Sequence, residues 1–143
     1  MEINGLPLHP LVVHAAVIGA PVAALAALAY LVPRWRARVR WPMVALAVAA
    51  TGAVVLAYFS GGDLLESRPQ LEQVPVVQDH EALGEQLLWI GLAFGLVAVV
   101  AGWLGTRRGA LRVVLDVALA VSSVTLLVWV FRTGEAGARA GWG

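Results

Sequence analysis

Four runs of about twenty apolar residues, each bounded by glycine, proline or arginine, constrain this chain more than any single motif. A hydrocarbon core about 30 Å thick is crossed by roughly 20 apolar residues in helix, and residues 11–32, 41–60, 83–104 and 111–131 each meet that length. The alternative, a soluble globule, fails on composition: 60% of residues are hydrophobic and 13% charged, against roughly 45–50% and about 25% in soluble domains. A chain of 143 residues cannot hide that much apolar surface from water, because small domains are mostly surface. The expected fold is therefore all-α, one integral membrane four-helix up-down-up-down bundle spanning residues 1–143.

Charge orients the threading. All ten basic residues are arginines. Arg34, Arg36, Arg38 and Arg40 crowd the first connection, and Arg107, Arg108 and Arg112 the third; Arg68, Arg132 and Arg139 are left for the opposite side. Short loops rich in Arg stay in the cytoplasm, so both termini and the long second loop are expected to face outward across a bacterial inner membrane. The acidic start MEINGLPLHP has no basic region of the kind that opens a cleavable signal peptide. A net charge of +1 argues against a nucleic-acid partner. Lipid is the expected surrounding, and assembly into an oligomer or a larger membrane complex is left open.

Lipid tails are as apolar as Leu, so small residues must hold such helices together. Ala16, Ala20 and Ala24, and one step round Ala15, Gly19, Ala23 and Ala27, supply them in the first span; Gly91 and Gly95 do so in the third. No internal repeat is evident beyond the shared helix–arginine loop–helix layout of the two halves.

The polar residues inside or beside the spans carry what functional signal there is. Asp116 is the one acid more than a turn inside a span, about 8 Å from its helix end at 1.5 Å per residue, and Arg112 lies four residues earlier on the same face; an interfacial Arg112–Asp116 pair is expected. His9, His14 and His80 all fall toward the outer side. His9 and His14 project roughly 140° apart around a helix, so they cannot share a face, and His14 is expected to look into the bundle. Projection places His80, Gly84, Gly91, Gly95, Ala98 and Gly102 on one narrow stripe. That stripe is either a helix-packing seam or the open wall of a flat ligand. On the second reading haem b lies between axial His14 and His80, bordered by Gly84 and Gly91, with Arg132 near a propionate. A nonhaem metal at His14, His80, Glu81 and His9 is a further reading, and a proton-titrating cluster another. The last alternative is an accessory or structural subunit with no cofactor.

The loop GGDLLESRPQLEQVPVVQDH, broken by Pro69 and Pro75, is expected to form a short interfacial segment over the outer mouth. The glycine-spaced tail from Arg132 is expected to fold back irregularly. Ser60, Ser122, Ser123 and Thr125 are expected to bond carbonyls of their own helices. The absence of cysteine excludes disulfides, thiolate metal sites and covalently attached haem. No nucleophile–base pair, phosphate loop or dinucleotide fingerprint is present, which leans away from an enzyme.

Leu6-Pro7-Leu8-His9-Pro10 with Val13-His14, Asp79-His80-Glu81 with Gly84-Glu85, and Thr133-Gly134 with Gly137-Ala138-Arg139-Ala140 resemble a bacterial membrane-protein family catalogued as domain of unknown function twenty-two thirty-one. The resemblance covers essentially the whole chain. It departs from the family where Ala15-Ala16 follow His14 in place of Phe-Pro, at Glu135, and at Gly141 before the last Trp. It implies a four-helix membrane protein with a His9/His14/His80 signature and no settled activity. Some members are joined to haem-carrying partners, which points, by analogy alone, toward a redox or quinone-linked complex.

Overall fold

A computed structural model describes residues 2–3, 6–105 and 107–142. A two-residue antiparallel pairing sets Glu2 opposite Pro7 and Ile3 opposite Leu6 (β1, Glu2–Ile3; β2, Leu6–Pro7). Four helices follow: α1 (Leu8–Leu31), α2 (Arg36–Ser67), α3 (Pro75–Leu104) and α4 (Ala110–Trp142). All four are long and apolar enough to cross a membrane. Pro10 falls in the first turn of α1, where its missing N–H has no helical partner to lose, and Pro75 opens α3 for the same reason.

The helices overrun the expected spans. α2 continues through Gly61-Gly62 to Ser67 and α3 starts at Pro75, so the expected interfacial segment shrinks to one 3-10 turn (Pro69–Gln73) packed on both. α4 does not break at Arg132 but runs to Trp142, which corrects the irregular tail. The glycines that suggested a break are sites of close approach instead: Val17 of α1 lies against Gly134 and the His80 ring against Gly137. At 1.5 Å per residue the 32-residue α2 is about 48 Å long, enough to carry its ends beyond the hydrocarbon.

Each helix packs on two neighbours, α1 and α3 being one diagonal and α2 and α4 the other. The interior is small-residue: Ala16, Ala20, Ala23, Ala24 and Ala27 of α1 are buried, closed at one end by Tyr30 and filled centrally by Phe94 and Leu126. The glycine stripe of α3 is a packing seam. A Cβ at Gly91 would meet Val54 at 3.3 Å, and Cβ atoms at Gly95 and Gly102 would strike Thr51 and Val44, all on α2. Large apolar side chains point outward, Ile18, Leu96, Val121 and Phe131 among them, the reverse of a water-soluble protein and the arrangement lipid requires.

The two hairpins repeat each other. A step of 71 residues, the separation of Tyr30 and Ala101, carries buried Ala16, Ala20, Ala23 and Ala27 of α1 onto buried Leu87, Gly91, Phe94 and Ala98 of α3. A second constant step carries Met43, Ala47, Ala50 and Val54 of α2 onto Leu119, Ser123, Leu126 and Val130 of α4, again all buried. Along the interior the repeat was hidden in the sequence because these buried pairs share burial, not side-chain type.

Candidate functional site

His9, in the first turn of α1, and His80, in the second turn of α3, are equivalent under the same 71-residue step. They meet across the bundle diagonal with ring centroids 6.4 Å apart and planes at 73°. Each ring is held in the same way by the partner helix of its own hairpin. His9 Nδ1 lies 3.1 Å from the Ala57 carbonyl oxygen, with the Ser60 hydroxyl also at 3.1 Å, and the ring rests on Gly61, 3.1 Å from where a Cβ would stand. His80 Nδ1 lies 3.1 Å from the Thr133 carbonyl oxygen, and its ring rests on Gly137, 2.9 Å from a Cβ there. Ala57 and Thr133, like Gly61 and Gly137, correspond under the α2-to-α4 step.

A carbonyl oxygen only accepts, so in both rings Nδ1 carries the hydrogen. In the neutral imidazole Nε2 is then a bare lone pair, and no hydrogen bond reaches either Nε2 among the described residues. Donation of the second ring N–H to a backbone carbonyl is the usual way a protein orients a histidine ligand. Thr133 Oγ1 to the Leu83 carbonyl (3.4 Å) and Trp129 Nε1 to Gln86 Oε1 (2.8 Å) tie α3 to α4 beside the pair.

The structure sets His80 beside His9 and not beside the expected His14. His14 is exposed on the outer face of α1, with Nδ1 2.5 Å from the Pro10 carbonyl oxygen. Of the two diverging histidines it is His9 that faces inward, and helix rotation, which tertiary packing sets, decides this. Gly91 is filled by Val54, so the stripe offers no long open wall; Gly84, one turn below His80, alone in the candidate set has nothing within 4 Å of a Cβ. Glu81 is exposed, and no group of three or more His, Asp or Glu converges on a metal-sized site among the described residues. Arg132 is exposed at this end, its guanidinium 5.2 Å from the Trp129 ring centre.

The other end of the bundle carries the arginines. Arg36 is 9% exposed, stacks 4.4 Å from the Tyr30 ring centre, and forks onto Asp116 with Nη1–Oδ1 at 3.0 Å and Nη2–Oδ2 at 2.7 Å. Arg112 Nε stands farther off, 3.8 Å from Asp116 Oδ2. The expected Arg112–Asp116 contact is thus the outer part of a three-residue cluster whose short, bidentate partner comes from α2. A bidentate guanidinium–carboxylate fork is the stronger geometry. Tyr30 OH donates to the Ala101 carbonyl (2.9 Å), and Arg40 Nε donates to the Gly102 carbonyl (2.6 Å). His9, Gly61, Gly137 and Arg36 were not singled out as a set by sequence; the repeat would have found them, since it lines up both histidines and both glycines.

The chain belongs to the family described as "Predicted membrane protein (DUF2231)", which it matches over residues 5–143. No curated protein and no solved structure matches it.

Proposed function

We propose that this member of a membrane-protein family of unknown function holds the iron of haem b between His9 and His80 and serves in electron transfer at the outer face of a bacterial inner membrane. The observation that carries the reading is the pair of equivalent imidazoles, each anchored through Nδ1, each keeping Nε2 free, with centroids 6.4 Å apart. Two imidazoles bound to opposite sides of one metal have centroids about 6 Å apart, given metal–nitrogen bonds of roughly 2.0 Å.

The donor set favours haem over a bare ion. Two imidazoles without thiolate or convergent carboxylate leave Zn or Fe short of ligands, whereas iron in a porphyrin needs only the two axial positions. Gly84 leaves room for a flat ligand beside His80, and Arg132 offers a charge for a propionate. His9 and His80 would hold the haem, which would supply one-electron exchange with a quinone or a haem-carrying partner. The outward placement of the histidine end follows from the arginine-rich loops at the other.

The test is the absorption spectrum of the detergent-purified full chain after expression with added haem. A Soret band with sharp reduced α and β bands, near one haem per chain, lost in His9→Ala and His80→Ala and kept in His14→Ala, is expected. No haem in the wild-type protein, or a band indifferent to His9 and His80, overturns the reading.

A further inference from the structure

At the arginine end a cavity of about 350 Å³ opens between the helix ends, lined by Tyr30, Arg36, Arg40, Trp41, Gly105 and Arg112, among others. The hairpin repeat shows why its charge is unusual. Arg36 corresponds to Arg112 under the α2-to-α4 step, and Asp116, which forks onto Arg36, corresponds to Arg40. A symmetric bundle would carry two crossed Arg–Asp pairs here. Instead an arginine stands where the second acid would, so three arginines line the cavity while the one carboxylate beside them, Asp116, is held by Arg36. Among the described residues the hydrogen bonds of Arg40 go to the backbone oxygens of Gly102 and Trp103, which neutralise no charge, and Arg36 Nε is buried with no hydrogen-bond partner.

We infer that this cavity is a binding site for a phosphate oxyanion, carried by an anionic phospholipid headgroup or free in solution. Guanidiniums fork onto phosphate oxygens as they do onto carboxylates. Basic pockets between transmembrane helices at the cytoplasmic surface are suited to anionic headgroups. Trp41 and Trp103, in edge-to-face contact at 5.9 Å, stand beside Arg40, whose guanidinium lies 4.9 Å from the Trp41 ring centre. The site is independent of any ligand at the histidine end.

The test titrates delipidated full-length protein in neutral detergent, followed by tryptophan fluorescence and native mass spectrometry. The probes are inorganic phosphate, short-chain phosphatidylglycerol and a neutral diacylglycerol of the same chain length. Saturable binding of phosphatidylglycerol alone identifies a lipid headgroup site; saturable binding of inorganic phosphate as well identifies a site for the free anion. In either case Arg112→Gln and Arg40→Gln are expected to weaken binding about tenfold, while Arg68→Gln, in the connection between α2 and α3, leaves it unchanged. Because Arg40 also braces Gly102, a poorly folded Arg40→Gln passes the test to Arg112→Gln, with Arg40→Lys as the charge-keeping control. Phosphatidylglycerol bound no better than diacylglycerol with no phosphate binding, or binding unchanged in Arg112→Gln, overturns the inference.

Discussion

His9 and His80 are one residue seen twice. They stand one repeat apart, face each other across the bundle diagonal with ring centroids 6.4 Å apart, and lean on carbonyls and glycines that are themselves repeat equivalents. A ligand placed between them receives two like donors from two like hairpins.

The glycine cradles give the first prediction. Gly137→Ala would set a Cβ 2.9 Å from His80 Cε1, and Gly61→Ala one 3.1 Å from His9 Cε1. In both cases the obstructing atom belongs to a side chain that can swing, so thermal stability should change by less than about 1 kcal/mol. The ring loses its carbonyl anchor in doing so, and haem content should fall severalfold. Melting curves and pyridine haemochrome assays on the two variants separate these effects.

Deeper in the bundle, in the glycine stripe of α3, the balance reverses. Gly95→Ala would drive a Cβ into Thr51, whose hydroxyl bonds the Gly91 carbonyl at 3.1 Å, and a short β-branched side chain held in a packed seam cannot yield cheaply. A loss of about 1–3 kcal/mol is expected, read as a lowered unfolding midpoint in detergent. Gly84→Ala, whose Cβ meets nothing within 4 Å, should keep at least wild-type stability, since Ala is the better helix former.

The arginine end offers a contrast between two partners of one acid. Removing the acid in Asp116→Ala strands Arg36, which is 9% exposed, and should cost about 3 kcal/mol, the low end of the range for broken buried pairs because the carboxylate keeps some solvent contact. Arg112→Ala removes only the 3.8 Å contact and should cost less than about 1 kcal/mol. Equal losses in denaturant unfolding would contradict the assignment of Arg36 as the main partner.

Threading can be read directly because the chain has no cysteine. Gln70→Cys, in the turn between α2 and α3, should react with a membrane-impermeant maleimide in intact spheroplasts. Arg107→Cys, in the connection between α3 and α4, should react only after permeabilisation. The reverse pattern would invert the bundle.

Sequence made the solvent, the number of spans and the small-residue interior legible, since length and hydropathy act residue by residue. It misplaced the ends of α2 and α4 because Gly61-Gly62 and Gly134 read as helix breakers in water, whereas within a bundle glycine permits close packing and the helix continues. It paired Asp116 with Arg112 because i,i+4 is the only spacing a single helix reveals; Arg36 is 80 residues away. It chose His14 over His9 because projection fixes the angle between two residues and not which of them faces the neighbours.

The most direct measurement is the electron paramagnetic resonance spectrum, with near-infrared magnetic circular dichroism, of the oxidised haem-loaded protein. A six-coordinate low-spin ferric signal with two imidazole ligands, converted to high-spin or lost in both His9→Ala and His80→Ala, is the expected result. A five-coordinate high-spin signal in the wild-type protein, or a bis-imidazole signal that survives His9→Ala, would contradict the pairing of His9 with His80 at the iron.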